Sequence, residues 1–363
     1  MPGVNDPAVC RELAAALARE VSSPVRFMEV CGTHTTSVAR HGLKSLFPPA
    51  LGLVSGPGCP VCVTSPGQVQ AVLDAAKRSG VILATFGDLV RVPGPQGSLE
   101  QARAKGADVR VVYSPTNALD LARNHPDKTA VFAGIGFETT APAVALTLLQ
   151  AKDEGIDNFL VLCLHKRIIP ALKALADHPE ARVDGFLLPG HVSVVLGAEA
   201  YEQADLGLPG VVAGFGAGDI LLGLLLLARQ ANRGERRVEN AYPRTVRTRG
   251  NTRAKEAMDR VFEPADAQWR GLGILRRSGL ALREEFSGLD AEKRLGLTVP
   301  SLDEPPGCSC GRVLVGAMAP NQCALFETVC TPSSPVGPCM VSSEGACAAW
   351  ALHHPLNPRK GHP

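Results

Sequence analysis

The sequence reads LGLVSGPGCPVCVTSPGQVQAVLDAAKR from Leu51 to Arg78. Its first five residues, Leu51–Ser55, form an apolar run typical of a buried strand, and Pro66–Arg78 has the apolar spacing of an amphipathic helix. A turn rich in glycine, proline and cysteine lies between them. A strand that leads through a polar turn into a helix is the repeating unit of α/β proteins. The stretch therefore predicts a parallel sheet covered by helices.

The same unit recurs along the first two thirds of the chain. Further strands are predicted at Arg26–Val30, Val81–Phe86, Val109–Tyr113, Ala130–Gly134, Asn158–Leu164, Gly185–Pro189 and Gly210–Gly214. An Asn-His-Pro-Asp turn near Asn124–Lys128 separates the first four strands of the chain from the last four. We therefore predict two similar parallel-sheet α/β domains, residues 1–126 and 127–235, followed by a smaller C-terminal domain at residues 236–363.

Composition and charge narrow the class of protein. The 363-residue chain is 45% hydrophobic and 20% charged, with a net charge of +2 and 4% aromatic residues. A nearly neutral chain with few aromatic side chains is not typical of a nucleic-acid-binding protein. The longest apolar run, Ile220–Ala228, is too short to span a membrane, and the N-terminus lacks the pattern of a signal peptide. We expect a soluble, cytoplasmic protein that binds neither nucleic acid nor a membrane.

Polar motifs follow four of the predicted strands. Each motif comes directly after its strand and leads into a helix: Cys31-Gly-Thr-His34, Cys59-Pro-Val-Cys62, Gly136-Phe-Glu138 and Gly190-His191. Open α/β sheets bind ligands at the carboxyl edge of their strands. We therefore expect the four motifs to lie along one such edge and to form the functional site.

The spacing of Cys59 and Cys62 allows their sulfur atoms to meet across a tight turn, as in thiol–disulfide switches. Ser65, Pro66 and Gln68 then have the pattern of a helix N-terminus closed by a capping box. The positive end of that helix would stabilise a nearby thiolate. The alternative is that the two cysteines are half of a zinc site, although no second pair of ligands is evident in the sequence.

Two chemistries are open for Cys31 and His34, which are three residues apart at a predicted helix start. They could act as a nucleophile and its base, or bind a metal ion as a soft and a borderline ligand. A third interpretation is a half-buried thiol without a function. Glu138 lies in a turn that lacks the third glycine of a dinucleotide-binding motif, so nucleotide binding is not favoured there.

Cysteine is concentrated near the C-terminus. Six of the eleven cysteines are Cys308, Cys310, Cys323, Cys330, Cys339 and Cys347. Their spacing fits neither a two-knuckle zinc site nor a common ferredoxin. The residues alone leave zinc, an iron–sulfur cluster and disulfides open, with disulfides disfavoured in a reducing compartment. The segment has little apolar periodicity, so we expect it to fold around a metal and against the α/β domains.

Taken together, the motifs resemble those of one protein family. They occur in the order Cys31-Gly-Thr-His-Thr, Gly-Pro-Gly-Cys59-Pro-Val-Cys62, Gly-Phe-Glu138-Thr-Thr, His191-Val-Ser, Glu239-Asn-Ala-Tyr-Pro-Arg and Cys339-Met-Val-Ser-Ser-Glu-Gly-Ala-Cys347. This series is similar to that of the HypD family of hydrogenase maturation factors and covers nearly the whole chain. One departure is Trp350, at a position where a tyrosine is expected.

The resemblance implies a scaffold for metal-centre assembly, with redox activity, rather than a conventional enzyme. It implies that Cys31 binds iron together with a cysteine of the partner HypC while the Fe(CN)2CO group of [NiFe]-hydrogenase is assembled. HypE would deliver the cyanide, and Cys59 and Cys62 would form the redox pair that supplies electrons. His34 and Glu138 would move protons or position the cyanide donor.

A C-terminal domain with a [4Fe–4S] cluster is also implied by the resemblance. The cluster ligands would be Cys310, Cys323, Cys330 and Cys347. Whether Cys308 or Cys339 replaces one of them stays open, as does the choice between a redox-active and a structural cluster. We expect a monomer that pairs with HypC. Two other classes remain: a stand-alone iron–sulfur-linked thiol–disulfide reductase, and a zinc-stabilised binding protein.

Overall fold

The computed structural model describes residues 3–353. The strands in this range are β1 (Val25–Glu29), β2 (Leu51–Ser55), β3 (Val81–Thr85), β4 (Asp108–Val111), β5 (Thr129–Gly134), β6 (Phe159–Cys163), β7 (Gly185–Pro189), β8 (Gly210–Ala213), β9 (Val238–Asn240), β10 (Phe262–Trp269) and β11 (Gly273–Leu282). The α-helices are α1 (Pro7–Glu20), α2 (Gly32–Arg40), α3 (Pro60–Val63), α4 (Pro66–Ala76), α5 (Gly87–Val90), α6 (Leu99–Ala104), α7 (Pro115–Asn124), α8 (Ala141–Asp153), α9 (Ile168–Ala176), α10 (Gly190–Leu196), α11 (Glu199–Ala204), α12 (Ala217–Arg233), α13 (Thr252–Val261), α14 (Ala291–Leu295), α15 (Cys310–Leu314) and α16 (Ala346–His353). Short 3₁₀ turns occupy Leu43–Leu46, Glu284–Leu289, Pro320–Gln322 and Pro338–Met340.

The chain divides into two compact units, and each unit is formed from separate stretches of sequence. Unit 1 contains residues 3–62, 171–251 and 307–353, and unit 2 contains residues 63–170 and 252–306. The cysteine-rich C-terminal segment is therefore part of unit 1. No helix within residues 3–353 is both long enough and apolar enough to cross a membrane.

Unit 1 is built on a five-stranded parallel sheet with the order β2-β1-β7-β8-β9. In the centre of this sheet, Phe27 of β1 lies opposite Gly185 of β7. The Leu-rich helix α12 and helix α1 cover the sheet, because Leu224 and Leu17 are buried in one core with Phe27 and Leu187. Burial of these apolar helix faces against strands provides most of the stability that such short parallel strands lack on their own.

Unit 2 contains a four-stranded parallel sheet with the order β4-β3-β5-β6, and an antiparallel hairpin of β10 and β11. Strand β5 is almost entirely buried, as expected for a parallel strand covered on both faces. Phe132 of this strand packs in one core with Leu148 of α8. Phe262 and Leu282 of the hairpin join the same core, so the hairpin is held to the sheet by apolar contacts.

The predicted α/β class with parallel sheets is confirmed by the structure. The strands are grouped differently, however, from the contiguous division at residues 126 and 235. Strands β1 and β2 pair with the strands β7–β9, while β3 and β4 pair with β5 and β6. A continuous apolar run indicates a buried parallel strand but does not indicate its neighbour, because the main-chain hydrogen bonds of a sheet are independent of side-chain identity.

Candidate functional site

Cys31 lies at the junction of β1 and α2, where it is the N-cap residue of the helix. Its backbone N–H donates to Oε2 of Glu29 at 3.1 Å. Burial raises the pKa of the Cys31 thiol to about 12, although a hydrogen bond from the backbone of His34 lowers it. The thiol therefore stays protonated at neutral pH until a positive partner such as a metal ion displaces the proton.

The loop that carries Cys59 and Cys62 lies directly against Cys31. A Cβ atom at Gly58 would overlap the backbone of Cys31, with the carbonyl carbon of Cys31 only 2.6 Å away. Cys59 and Cys62 form a disulfide across a Cα–Cα distance of 5.2 Å. The predicted capping box of α4 is confirmed, since Ser65 and Gln68 exchange both hydrogen bonds. The structure thus brings the first two cysteine motifs together in unit 1.

His34 is fully buried, and its two ring nitrogens have different surroundings. Nε2 lies 2.9 Å from the carbonyl oxygen of Gly214, so Nε2 carries the proton and donates. Nδ1 has no hydrogen-bond partner among residues 3–353. Burial lowers the pKa of His34 to about 4, so the ring is neutral at pH 7 and Nδ1 has a free lone pair. This tautomer is the one found in metal-ligating histidines, whose second nitrogen donates to a carbonyl or carboxylate.

Phe215 separates the buried His34 from the exposed His191. The ring centre of Phe215 lies 5.0 Å from that of His34 and 4.0 Å from that of His191. Burial is the main cause that lowers the pKa of His191. His191 thus lies on the same side of the unit 1 sheet as His34, as expected for a motif that follows β7.

Glu29 is a candidate site residue that the sequence analysis missed. Its carboxylate is buried, and it accepts hydrogen bonds from the backbone of Cys31 and from the hydroxyl of Thr35. Burial raises the pKa of Glu29 to about 7, while the nearby Lys44 lowers it. The signal was a single carboxylate in the apolar run of β1, since a charged residue inside a buried strand needs a partner.

The C-terminal segment packs on the first turn of α2. The hydroxyl of Thr33 donates to Oε1 of Glu344 at 2.7 Å, and the hydroxyl of Thr36 donates to the carbonyl oxygen of Ser343 at 2.9 Å. A Cβ atom at Gly32 would lie 2.5 Å from the Cβ of Glu344. The two threonines of the Cys31 motif therefore bind the segment that also carries the C-terminal cysteines.

The C-terminal cysteines surround a small cavity in unit 1. Five of them line it: Cys308, Cys310, Cys323, Cys330 and Cys347. The remaining wall is largely apolar and includes Val313, Leu325, Phe326 and Met340. Thiols that face one apolar cavity have the chemistry that a sulfur-ligated metal group requires. Within residues 3–353, no three His, Cys, Asp or Glu side chains are in place to hold one metal ion.

The loop from Val336 to Cys339 closes this cavity. The backbone N–H of Val336 donates to Sγ of Cys330 at 3.3 Å, and that of Cys339 donates to Sγ of Cys310 at 3.4 Å. A Cβ atom at Gly337 would lie 2.6 Å from Sγ of Cys308, so only glycine fits between the thiols. Backbone N–H donors directed at cysteine sulfurs favour the thiolate form that metal clusters need.

Hydrogen bonds among the thiols distinguish Cys347 from Cys339. Hydrogen bonding by Cys310, and then by Cys339, lowers the pKa of Cys347 to about 5. Hydrogen bonding with Cys310, and then with Cys347, raises the pKa of the fully buried Cys339, which does not line the cavity. Cys339 thus supports Cys310 and Cys347 from outside the cavity, and Cys308 is the fifth thiol that faces it.

The disulfide loop and the cysteine cavity are close to each other within unit 1. Sγ of Cys62 lies 3.9 Å from the carbonyl oxygen of Pro338. Pro338 is the residue between Gly337, which contacts the thiols of the cavity, and the buried Cys339. One residue of main chain therefore separates the disulfide from the wall of the cavity.

Glu138 belongs to unit 2, where it follows β5. Its buried carboxylate accepts the backbone N–H of Ile168 at 3.0 Å, and burial raises its pKa to about 7. The expectation that all four polar motifs lie along the edge of one sheet is therefore wrong. Cys31, Cys59 and His191 follow strands of the unit 1 sheet, and Glu138 follows a strand of the other sheet, because the chain changes units after residue 62.

Unit 1 thus combines a buried thiol, a disulfide and a cavity lined by five cysteines on an α/β scaffold. These features define the class of thiol-rich proteins in which cysteine sulfur provides redox or metal-binding chemistry.

Comparison with known proteins identifies the family. Residues 8–354 match the family model for HypD, which is described as "Hydrogenase formation hypA family". The hydrogenase maturation factor HypD of Escherichia coli (strain K12) is 45% identical over 343 residues, which cover 94% of this chain and 92% of the relative. HypD of Azotobacter vinelandii is 46% identical over 357 residues (95% and 94%), and HypD of Rhodobacter capsulatus is 45% identical over 360 residues (95% and 96%). The chain therefore belongs to the HypD family of hydrogenase maturation factors.

Proposed function

We propose that this protein is the scaffold on which the Fe(CN)2CO group of [NiFe]-hydrogenase is assembled. The observation that carries the proposal is the contact of the Cys31 backbone with the loop of the Cys59–Cys62 disulfide. A site that attaches cyanide to iron needs a soft ligand for the metal and a nearby source of electrons. Cys31 provides the soft ligand, and the Cys59–Cys62 pair provides the electrons.

Cys31 binds the iron substrate together with a cysteine of a HypC-type partner. The neutral, buried thiol loses its proton on metal binding, and Glu29 holds the backbone of Cys31 through its N–H. His34 has a free Nδ1 lone pair, so it can accept a proton or approach the metal, while its Nε2 stays fixed on Gly214. Glu138 would act as a proton donor or position the cyanide donor, and burial raises its pKa to about 7, a value suited to proton transfer near neutral pH.

The Cys59–Cys62 pair supplies the electrons for cyanide attachment. A HypE-type partner carries cyanide on sulfur as a thiocyanate, and cleavage of that sulfur–carbon bond to thiolate and cyanide consumes two electrons. Closure of the dithiol to the disulfide releases two electrons and two protons, so the step balances. The thiolate released on the partner takes up one of these protons, and the buried carboxyl of Glu29, which is hydrogen-bonded to the backbone of Cys31, can receive the other.

A [4Fe–4S] cluster fits the cavity at the C-terminus. Its ligands would be Cys310, Cys323, Cys330 and Cys347, and the apolar wall and the backbone donors to sulfur suit such a group. When bound, the cluster would supply single electrons for the reduction of a disulfide. Cys308 faces the same cavity and Cys339 does not, so Cys308 is the better candidate to replace one of the four named ligands. The protein works in the cytoplasm, as a monomer that pairs with HypC.

The test starts with protein purified without oxygen. About four irons and four sulfides per chain, with broad visible absorption, would support the cluster. One zinc per chain and no sulfide would instead make the C-terminal segment a zinc site. Wild type and Cys59→Ala are then expressed with HypC in a host that lacks its own HypD, and hydrogenase activity is measured. The matched control is Cys10→Ala, which removes a thiol from α1.

We expect Cys59→Ala to abolish hydrogenase maturation and Cys10→Ala to leave it unchanged. Infrared bands of iron-bound cyanide and carbon monoxide on the complex with HypC should disappear in Cys31→Ala. Full maturation with Cys59→Ala would overturn the role of the cysteine pair. The alternative function is a stand-alone iron–sulfur-linked thiol–disulfide reductase, and rapid turnover of small disulfides without HypC would favour it.

A further inference from the structure

A groove in unit 2 lies outside the site described above. It follows the carboxyl end of β6, and Cys163, His165 and Lys166 line it directly after that strand. Residues of the β10–β11 hairpin complete the wall, and the groove has a volume of about 360 Å³. The carboxyl ends of parallel strands are where α/β sheets bind ligands. The thiol chemistry of unit 1 gives this groove no role.

Lys166 is a cationic side chain enclosed by protein, with only 1% of its surface exposed. Its Nζ donates to Oε1 of Gln68 at 2.9 Å, and the same oxygen already accepts the backbone N–H of Ser65 at 3.1 Å. Within residues 3–353, no carboxylate lies at ion-pair distance from Lys166, and burial lowers its pKa to about 7. A buried ammonium group without a counter-charge destabilises a fold, so a bound anion would relieve a cost that is already present.

His165, next to Lys166 in the chain, has a buried ring nitrogen without a hydrogen-bond partner among the described residues. Its ring is buried, with Nδ1 3.6 Å from Sγ of Cys163 and with Nε2 lacking a hydrogen-bond partner in the described part of the chain. Gly134 leaves room for the ring, because a Cβ atom there would lie 3.0 Å from its Cε1. When the thiol of Cys163 donates to Nδ1, Nε2 carries the proton and is a free donor. Two residues that line the groove therefore have hydrogen-bonding capacity to spare, Lys166 at Nζ and His165 at Nε2.

Carboxylates in the same groove restrict the charge of a ligand. Asp266, Asp290 and Glu292 line it. Asp290 accepts the backbone N–H of Glu292 at 2.9 Å, and Asp266 accepts that of Arg277 at 2.8 Å. Burial, and then the charge of Asp290, raises the pKa of Glu292. These charges repel a dianion more strongly than a monoanion, so a small, singly charged ligand is favoured over phosphate or sulfate.

We propose that Lys166 and His165 bind a small monovalent oxyanion of the carboxylate or bicarbonate class in this groove. The anion provides the missing counter-charge for Lys166 and accepts hydrogen bonds from Nζ and Nε2. Such a role gives a function to a buried lysine that costs the fold stability. The proposal does not depend on the assembly function, because it concerns different residues in the other unit.

The test uses the full-length protein with ¹³C-labelled formate and bicarbonate as separate probes, at constant ionic strength in chloride. Binding is measured from the line width of each probe and from the ¹⁵N signals of labelled histidine, with His165→Phe to assign the signal of His165. Lys166→Met removes the charge at similar volume. Lys105→Met makes the same substitution at an exposed lysine of unit 2 and is the matched control.

We expect wild type to bind at least one probe in a saturable way, with a shift of the His165 signal. Lys166→Met should weaken binding by about tenfold or more, as expected for the loss of a charged hydrogen bond, and Lys105→Met should not change it. If Lys166→Met fails to fold, weaker binding by His165→Phe carries the same test. The proposal would be overturned if Lys166→Met and His165→Phe bound the probes as tightly as wild type. It would also be overturned if wild type bound neither probe in a saturable way.

Discussion

The buried carboxyl of Glu138 makes the stability of unit 2 depend on pH in a direction opposite to that of ordinary carboxylates. Burial raises the pKa of Glu138 from 4.5 to about 7, with the hydrogen bond from Ile168 as a smaller, opposing effect. Between these two values the folded state holds a proton that the unfolded state has released. The free energy of unfolding therefore falls as pH rises through this window, and it levels off above pH 7.

The size of this effect follows from the size of the pKa shift. Each pKa unit corresponds to about 1.4 kcal/mol, so Glu138 alone removes about 2–3 kcal/mol of stability between pH 5 and pH 8. His165 and Lys166 also have lowered pKa values, and each makes unit 2 more stable as pH rises. Comparison of wild type with Glu138→Gln cancels their effects and isolates the carboxyl, since the amide has a similar size but does not titrate.

Fluorescence of Trp269 provides the assay. The chain has two tryptophans, and Trp269 is the one in unit 2, where it is buried. In a Trp350→Phe background, urea unfolding at pH 5, 6, 7 and 8 therefore reports on unit 2. The stability advantage of Glu138 over Glu138→Gln should shrink steadily across this range, and Glu100→Gln, at an exposed residue of α6, should follow wild type. A difference between wild type and Glu138→Gln that stays constant within about 0.5 kcal/mol would refute the assignment of a buried, protonated carboxyl.

Three further predictions concern contacts within unit 1 or within unit 2. Gly58→Ala should destabilise unit 1 by about 1–3 kcal/mol, because the new methyl group overlaps the backbone of Cys31. Urea unfolding followed by Trp350 measures this, and Gly3→Ala, a unit 1 position with no atom within 4 Å, should have no such effect. Ser65→Ala should lower the free energy of unfolding of unit 2 by about 1 kcal/mol through loss of the capping box, measured by urea unfolding followed by Trp269; an unchanged midpoint would contradict it. Gly337→Ala should lower the iron and sulfide bound per chain, because its methyl group enters the cavity between the thiols. Iron and sulfide contents equal to those of wild type would contradict the proposal that this cavity holds the cluster.

Much of the secondary structure could be predicted from the sequence. The predicted strands Leu51–Ser55 and Gly185–Pro189 agree with β2 and β7, and the predicted helix Pro66–Arg78 begins at the first residue of α4 and ends two residues beyond it. These elements have strong local signals: continuous apolar runs for the strands, and a Ser-Pro start for the helix. The hairpin of β10 and β11 was not predicted, because β10 contains a proline and three charged or amide residues that interrupt any alternation.

The candidate site was predictable only in part, because a sequence pattern records local geometry but not contacts between distant segments. The spacing of Cys59 and Cys62 fixes a local geometry, so the sequence indicated their pairing. Cys31 and Gly58 are brought together by the pairing of two parallel strands, and no local pattern records such a contact. Glu29 and Lys166 were missed because only burial shows that their charges need partners, and burial depends on packing against segments that are distant in sequence.

Close contacts of main chain, rather than complementary side chains, connect the parts of the site in unit 1. Gly58 touches the backbone of Cys31, Gly32 touches Glu344, and Gly337 lies between the thiols of Cys308 and Cys310. At each of these points the addition of a single methyl group would push two cysteine-bearing segments apart. Three segments that are distant in sequence are therefore held within reach of one another by the absence of side chains. Thiol chemistry that passes between them needs such proximity, because exchange and ligation act over bonding distances.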